Sequence, residues 1–206
     1  WFVPQAVDDL IAIHGGNEIF TSRLEKLFTE SSEITGDNVS ADITGLIGQY
    51  AHGNEPSHHI AYMFNHANQP WRTQYWARHI MDTQYNTTPN GLSGNEDCGQ
   101  MSAWYVLSSI GLYPMNPASG EYEIGSPIFE KSTIKLPENK TFMIEAEYVS
   151  HTNFYIQSAT LNGKPFTKTT LSHQDILKGG TLHFVMGNKP NKNWGIKNKA
   201  QQLTKK

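Results

Sequence analysis

A single cysteine, Cys98, excludes an internal disulfide. No basic block occurs beyond Lys205-Lys206 and the formal net charge is −3, which argues against a nucleic-acid partner. No apolar run approaches the ~18–20 residues of a membrane-spanning helix. The sequence opens on Trp1 with no signal-like stretch, and Trp-Phe-Val-Pro is an abrupt opening, so the chain is expected to be a fragment of something longer. What is present is the composition of a folded protein, 37% hydrophobic, with 206 residues to form one large domain or two small ones. Five Trp among 11% aromatics offer flat apolar faces with a polar handle, a property that serves sugar clefts and ordinary cores alike.

The first half reads as helices joined by polar loops. A helix is expected over Val7 to His14, with Asp8 and Asp9 in its first turn and Gly15-Gly16 at its end. A second is expected over Asn17 to Glu30, where Ile19, Phe20, Leu24, Leu27 and Phe28 recur at helical spacing. Ser31 to Ile43 is polar and reads as a loop. A third helix is expected to follow Ser57, burying Ile60, Tyr62, Met63, Phe64 and Ala67. A fourth starts at Gln69-Pro70-Trp71 and runs to about Tyr85, with Trp71, Tyr75, Ile80 and Met81 available to the core. The run Met101 to Leu112 spaces Met101, Trp104, Tyr105, Ser108 and Leu112 as a buried helix, ended by Gly111-Leu112-Tyr113-Pro114.

After Asn116 the composition changes to short runs rich in β-branched and aromatic residues. Strands are expected at Tyr122 to Ile124, Thr133 to Leu136, Phe142 to Val149, Tyr155 to Leu161 and Thr181 to Met186. Asn162-Gly163 marks a tight hairpin. This half reads as an antiparallel β region, a sandwich or part of one, and the Asn- and Lys-rich tail beyond Gly187 is expected to fray.

Two stretches carry candidate chemistry. In Gly94-Asn95-Glu96-Asp97-Cys98-Gly99, adjacent carboxylates enter a helix at its positive end. Asp97 as a plain helix cap accounts for part of this pattern, but not for two adjacent acids between glycines. In His52-Gly53-Asn54-Glu55-Pro56-Ser57-His58-His59, polar side chains gather at another helix start. The adjacent rings of His58 and His59 cannot both face one metal, and each serves equally as a buried structural histidine. A hard cation on the oxygens of Asn54 and Glu55 fits better than zinc. Carboxylates from Glu55, Glu96 and Asp97 in one cleft would suit glycoside hydrolysis, in which one carboxyl group protonates the leaving oxygen and another attacks or activates water.

The strings Trp1-Phe2-Val3-Pro4, His52 to His59, Gln69-Pro70-Trp71 and Gly94 to Trp104 together resemble glycoside hydrolase family 92, the calcium-dependent exo-α-mannosidases common in gut Bacteroidetes. Their order matches, and the resemblance runs through Gly111-Leu112-Tyr113-Pro114 into the β region. It implies an α+β chain: residues 1–116 as the last helices of an (α/α)6 barrel, and residues 117–206 as an antiparallel, sandwich-like β segment with a flexible tail. It implies removal of terminal α-linked mannose, typically α-1,2, from N-glycans or yeast mannan, by inverting single displacement. Asp97 is then expected as the general base with Glu96 beside it. Asn54, Glu55 and Asp97 would be ligands to Ca2+, which contacts sugar hydroxyls and helps distort the ring. His52, Glu55, His58, His59 and Asn95 would contact the substrate.

The resemblance also implies that the general acid lies upstream of Trp1, and that the partners are a mannose oligosaccharide and the rest of a parent chain. That parent would be secreted, periplasmic or outer-membrane-associated in a bacterium. Ala6 stands where the family usually has an aspartate. An alternative expectation is a carbohydrate-binding fragment without catalysis, and another is a structural domain whose acids only cap helices.

Overall fold

The computed structural model describes residues 1–196. Helix α1 (Val7–Ile13) ends at Gly15 and Gly16, whose φ angles of 91° and 101° reverse the chain into α2 (Asn17–Thr29). The stripe of α2 that buries Phe20, Thr21, Leu24 and Phe28 is the one its spacing predicts. After the loop of residues 30–45, a small hairpin, β1 (Leu46–Ile47) and β2 (Tyr50–Ala51), carries the chain into the His52–His59 stretch.

The helix expected after Ser57 is instead two short 3-10 segments, Glu55–Ser57 and Ile60–Asn65. All six residues of the second are buried. A helix apolar on every side gives no amphipathic period to distinguish α from 3-10 winding. Pro70 opens α3 (Pro70–Gln84) at its first position, where the missing N–H costs nothing. Its buried face is Thr73, Gln74, Trp76, Ala77, Ile80 and Met81, so Trp71 and Tyr75, expected in the core, lie outside it. Helix α4 (Gln100–Ser109) is shorter than expected. Leu112 is buried, but in strand β3 (Leu112–Tyr113) beyond the Gly111 turn.

The remaining strands are β4 (Glu121–Ile124), β5 (Lys131–Lys135), β6 (Thr141–Glu147), β7 (Tyr155–Leu161), β8 (Lys164–Pro165) and β9 (Thr170–Ser172). Helix α5 (His173–Leu177) and β10 (Gly180–Gly187) follow. Asn162 and Gly163 sit at φ 52° and 76° and turn β7 tightly into β8, as the Asn-Gly signal predicts. The strands form a three-stranded sheet, β3-β4-β9, and a five-stranded sheet, β5-β6-β10-β7-β8. One pairing departs from the expected antiparallel pattern: β10 enters between β6 and β7 and runs parallel to β6. Alternation places Leu182, Phe184 and Met186 of β10 on the buried face, but alternation carries no strand direction.

Two apolar clusters organise the molecule. One joins α1, α2, the 3-10 segments, α3 and α4 around Phe20, Phe28, Phe64, Trp76 and Trp104. The other joins both sheets through Leu112, Ile124, Phe142, Ile156, Leu171 and Phe184. Polar bonds tie them together. Gln74 Oε1 accepts the Ile156 amide at 3.0 Å, and Arg78 donates to the carbonyls of Pro127 and Ser150 at 3.0 and 3.2 Å. The segment after Gly187 is held as far as Ile196. Trp194 is buried with its indole N–H on the Phe166 carbonyl, and Asn191 donates to the Gln157 carbonyl, which corrects the expected fraying there. The rest of that expectation, residues 197–206, lies outside the described residues.

Candidate functional site

The two acid-bearing loops cross at a pair of glycines. A Cβ built on Gly94 would lie 2.2 Å from the Gly53 carbonyl oxygen and 2.4 Å from its Cα. A Cβ on Gly53 would lie 2.8 Å from the Ser93 carbonyl oxygen and 2.0 Å from Thr44 Oγ1. Only hydrogen fits between these backbones, so the sequence requires glycine on both sides. From this crossing one loop continues into Asn54-Glu55 and the other into Asn95-Glu96-Asp97. Candidates some forty residues apart in sequence therefore leave a single point of contact.

The carboxylates beyond the crossing have different tasks. Glu96 folds forward onto α4: Oε1 accepts the Ser102 amide at 3.1 Å and Oε2 the Ser102 hydroxyl at 2.7 Å. Ser102 is the third residue of α4, so Glu96, not Asp97, satisfies an otherwise open N–H of the helix start. Asp97 begins a short 3-10 turn and is exposed; its carbonyl accepts the Gln100 amide, and its carboxylate forms no hydrogen bond or ion pair with the described residues. Cys98 beside it takes φ 52°, a left-handed conformation that turns the chain into α4. Asn95 is exposed next to Gly94.

On the other loop, Glu55 is half-buried and its Oε1 is shielded from water without a hydrogen-bond partner. Thr44 Oγ1 and Ser93 Oγ, which flank the glycine crossing, are likewise buried and unpartnered. Buried oxygens are normally bonded, and an unsatisfied one points to a missing donor or ion. Among the described residues no three His, Cys, Asp or Glu side chains converge to hold a metal. The side chains of Asn54, Glu55 and Asp97 carry oxygen, the donor type a hard cation takes in preference to zinc.

The histidines face inward. His52 is fully buried, with Nδ1 2.8 Å from the Tyr50 hydroxyl and Nε2 2.7 Å from the Tyr85 hydroxyl, so neither ring nitrogen is free for a sugar. His58 donates from Nε2 to the His52 carbonyl at 3.0 Å, and Gln100 approaches its Nδ1 at 3.4 Å. His59 donates to the Trp1 carbonyl at 3.0 Å. Burial, aided by the neighbouring His58, drives the His52 pKa down to about 2, and burial lowers that of His58 to about 4 despite its bond to a carbonyl. Both rings are neutral at pH 7 and form the packed wall behind the loops. The wall's other members, Tyr50 and Tyr85, carry no local signal of this role, since they lie at a strand start and a helix end. The glycines themselves were visible, but their contact was not.

A separate cavity of about 740 Å³ holds none of these candidates. It lies where α1 meets β4 and is lined in part by Asp8, His66, Glu123 and Lys168. His66 lies 3.0 Å from Asp8 Oδ1 through Nδ1 and 2.9 Å from Glu123 Oε1 through Nε2. Burial opposes its charge, but the two carboxylates prevail and push its pKa up to about 9.

The sequence model of the glycosyl hydrolase family 92 catalytic domain matches residues 1–188. The chain belongs to glycosyl hydrolase family 92. It is 44% identical to the family 92 α-mannosidase BT3965 of Bacteroides thetaiotaomicron, with a TM-score of 0.86 over 96% of this chain and 26% of that one. It is 38% identical to the inverting family 92 mannosidase BT2199 of the same organism, with a TM-score of 0.82 over 95% of this chain and 27% of that one. An uncharacterized secreted glycosidase of Arthroderma benhamiae is 33% identical over 95% of this chain and 23% of its own length. The family 92 chain thus spans about a quarter of the relatives it matches. Among its described residues no helix is long and apolar enough to cross a membrane.

Proposed function

We propose that this chain supplies the base-bearing and cation-binding part of a secreted exo-α-mannosidase acting on mannose-rich glycans. The observation that carries the reading is the Gly53–Gly94 crossing, which joins the Asn54-Glu55 and Asn95-Glu96-Asp97 loops. Its context is membership of a family whose solved relatives include α-mannosidases.

In this reading Asp97 is the general base. Its carboxylate, without a partner among the described residues and open to water, accepts a proton from the water that attacks the anomeric carbon in a single inverting displacement. Glu96 is occupied by α4 and acts by fixing the loop that presents Asp97. Asn54, Glu55 and Asp97 would hold Ca2+; when bound, the ion supplies positive charge for sugar hydroxyls. Asn95 and Glu55 would meet the sugar, while His52, His58 and His59 would support the loops from behind. The helices up to α4 would be the closing part of an (α/α)6 barrel and the sheets its terminal β segment. The general acid would come from another part of the parent chain, which would be secreted, periplasmic or outer-membrane-associated.

A second reading, sugar binding without hydrolysis by this segment alone, is favoured by the carboxylate count. Glu96 is committed to a helix, which leaves Asp97 as the one unpartnered acid of its own loop among the described residues. Replacing Asp97 with Asn in the parent enzyme decides between them. Loss of mannose release by about 10²- to 10⁴-fold, with sugar still bound, is the expected result for a general base. Undiminished release would remove Asp97 from the chemistry.

A further inference from the structure

Three hydrogen bonds in series run behind the glycine crossing and join its two loops. They link Tyr50 Oη to His52 Nδ1 (2.8 Å), His52 Nε2 to Tyr85 Oη (2.7 Å), and Tyr85 Oη to the Met101 carbonyl (3.0 Å). Counting protons fixes the direction of each. The Met101 carbonyl can only accept, so the single Tyr85 hydroxyl proton goes there. The Tyr85 oxygen must then accept from His52, which places the imidazole proton on Nε2. Nδ1 is left with a lone pair and takes the Tyr50 proton. With the buried imidazole neutral, every group in the series has one role, and no other arrangement of its protons satisfies all three contacts.

The ends of this series are the two loops. His52 directly precedes Gly53, and Met101 is the second residue of α4, the helix whose start Glu96 caps. Tyr85 also pairs with Leu92 in a β-bridge at the base of the turn that delivers Gly94. Its ring stacks parallel to Trp104 at 6.0 Å, so a phenylalanine there would fill the same space. Within the Tyr85 side chain, the hydroxyl alone makes the bonds to His52 and Met101.

We propose that Tyr85 is a positioning residue of the site, setting the Asn54-Glu55 loop against the Asp97 loop through His52 on one side and Met101 on the other. The inference rests on the mannosidase reading for its catalytic consequence, but not for its structural one. Tyr85→Phe keeps the packing, leaves His52 Nε2–H without an acceptor and removes the bond that ties this series to the Met101 carbonyl.

Histidine tautomers are read directly by 15N and 13C NMR of the protein at pH 7, and His52 is expected in the Nε2–H form. In Tyr85→Phe, amide exchange at Gly53, Asn54 and Ser102 should rise by about tenfold or more while β6 keeps its protection, the mark of local opening. In the parent enzyme kcat should fall by about tenfold or more with KM nearly unchanged, the expected effect of misplaced reacting groups. His52→Gln, which retains one donor and one acceptor, should recover most of the activity that His52→Leu loses. An Nδ1–H or charged His52, a uniform rise in exchange, or wild-type kcat in Tyr85→Phe would overturn the proposal. A parent enzyme that releases no mannose would sink the mannosidase reading alone, because the tautomer and exchange readouts decide the positioning role without turnover.

Discussion

Gly53 and Gly94 meet backbone to backbone, with no room for a Cβ on either. The contact turns two separate polar loops into one site, and it makes both positions intolerant of alanine. Gly53→Ala and Gly94→Ala should each lower stability by about 1–3 kcal/mol, the usual cost of overpacking a fitted contact. Urea unfolding measures this directly. An alanine variant as stable as the parent would mean that the loops can part freely.

Glu96 and Asp97 are neighbours with separable effects. Glu96→Ala removes the acceptor for the Ser102 amide and should cost about 1 kcal/mol, as lost caps do. Asp97→Asn touches no described partner and should change stability by less than about 0.5 kcal/mol, like other surface changes. Thermal unfolding of the two variants should therefore separate them. The reverse order would make Asp97 the structural residue.

His66 gives the fold a pH dependence of definite sign. Its pKa rises on folding from the ordinary 6.5 to about 9, because Asp8 and Glu123 hold both ring nitrogens. The stabilisation is fully present below pH 6.5 and is lost as pH rises through about 9. It amounts to at most about 3 kcal/mol by linkage. Denaturant unfolding across this window should show the wild type losing stability relative to His66→Gln. Parallel profiles would show that folding leaves the pKa of the ring unchanged.

Much of this architecture was legible from local chemistry. Pro70 marks the start of α3 to the residue, Gly15-Gly16 separates α1 from α2, and Asn162-Gly163 sets a hairpin. The acid-bearing loops stood out because adjacent carboxylates between glycines exceed what capping requires. Their meeting was not legible, because Gly53 and Gly94 are distant in sequence and contact needs the whole helical packing to form. The same limit hid the parallel β6–β10 pair, whose direction leaves no periodic trace. The histidines misled for a different reason. A polar ring beside a candidate site looks like a ligand in sequence, whereas Tyr50 and Tyr85 satisfy His52 inside the core. Trp194 likewise anchors a stretch whose Asn and Lys content suggested fraying.

The most direct test of the joined-loop site is calcium titration by isothermal calorimetry on this protein and its Glu55→Gln variant. The buried, unpartnered Glu55 Oε1 predicts a saturable heat of binding in the wild type that disappears in the variant. Equal binding by both, or none by the wild type, would contradict a cation site at the Gly53–Gly94 crossing.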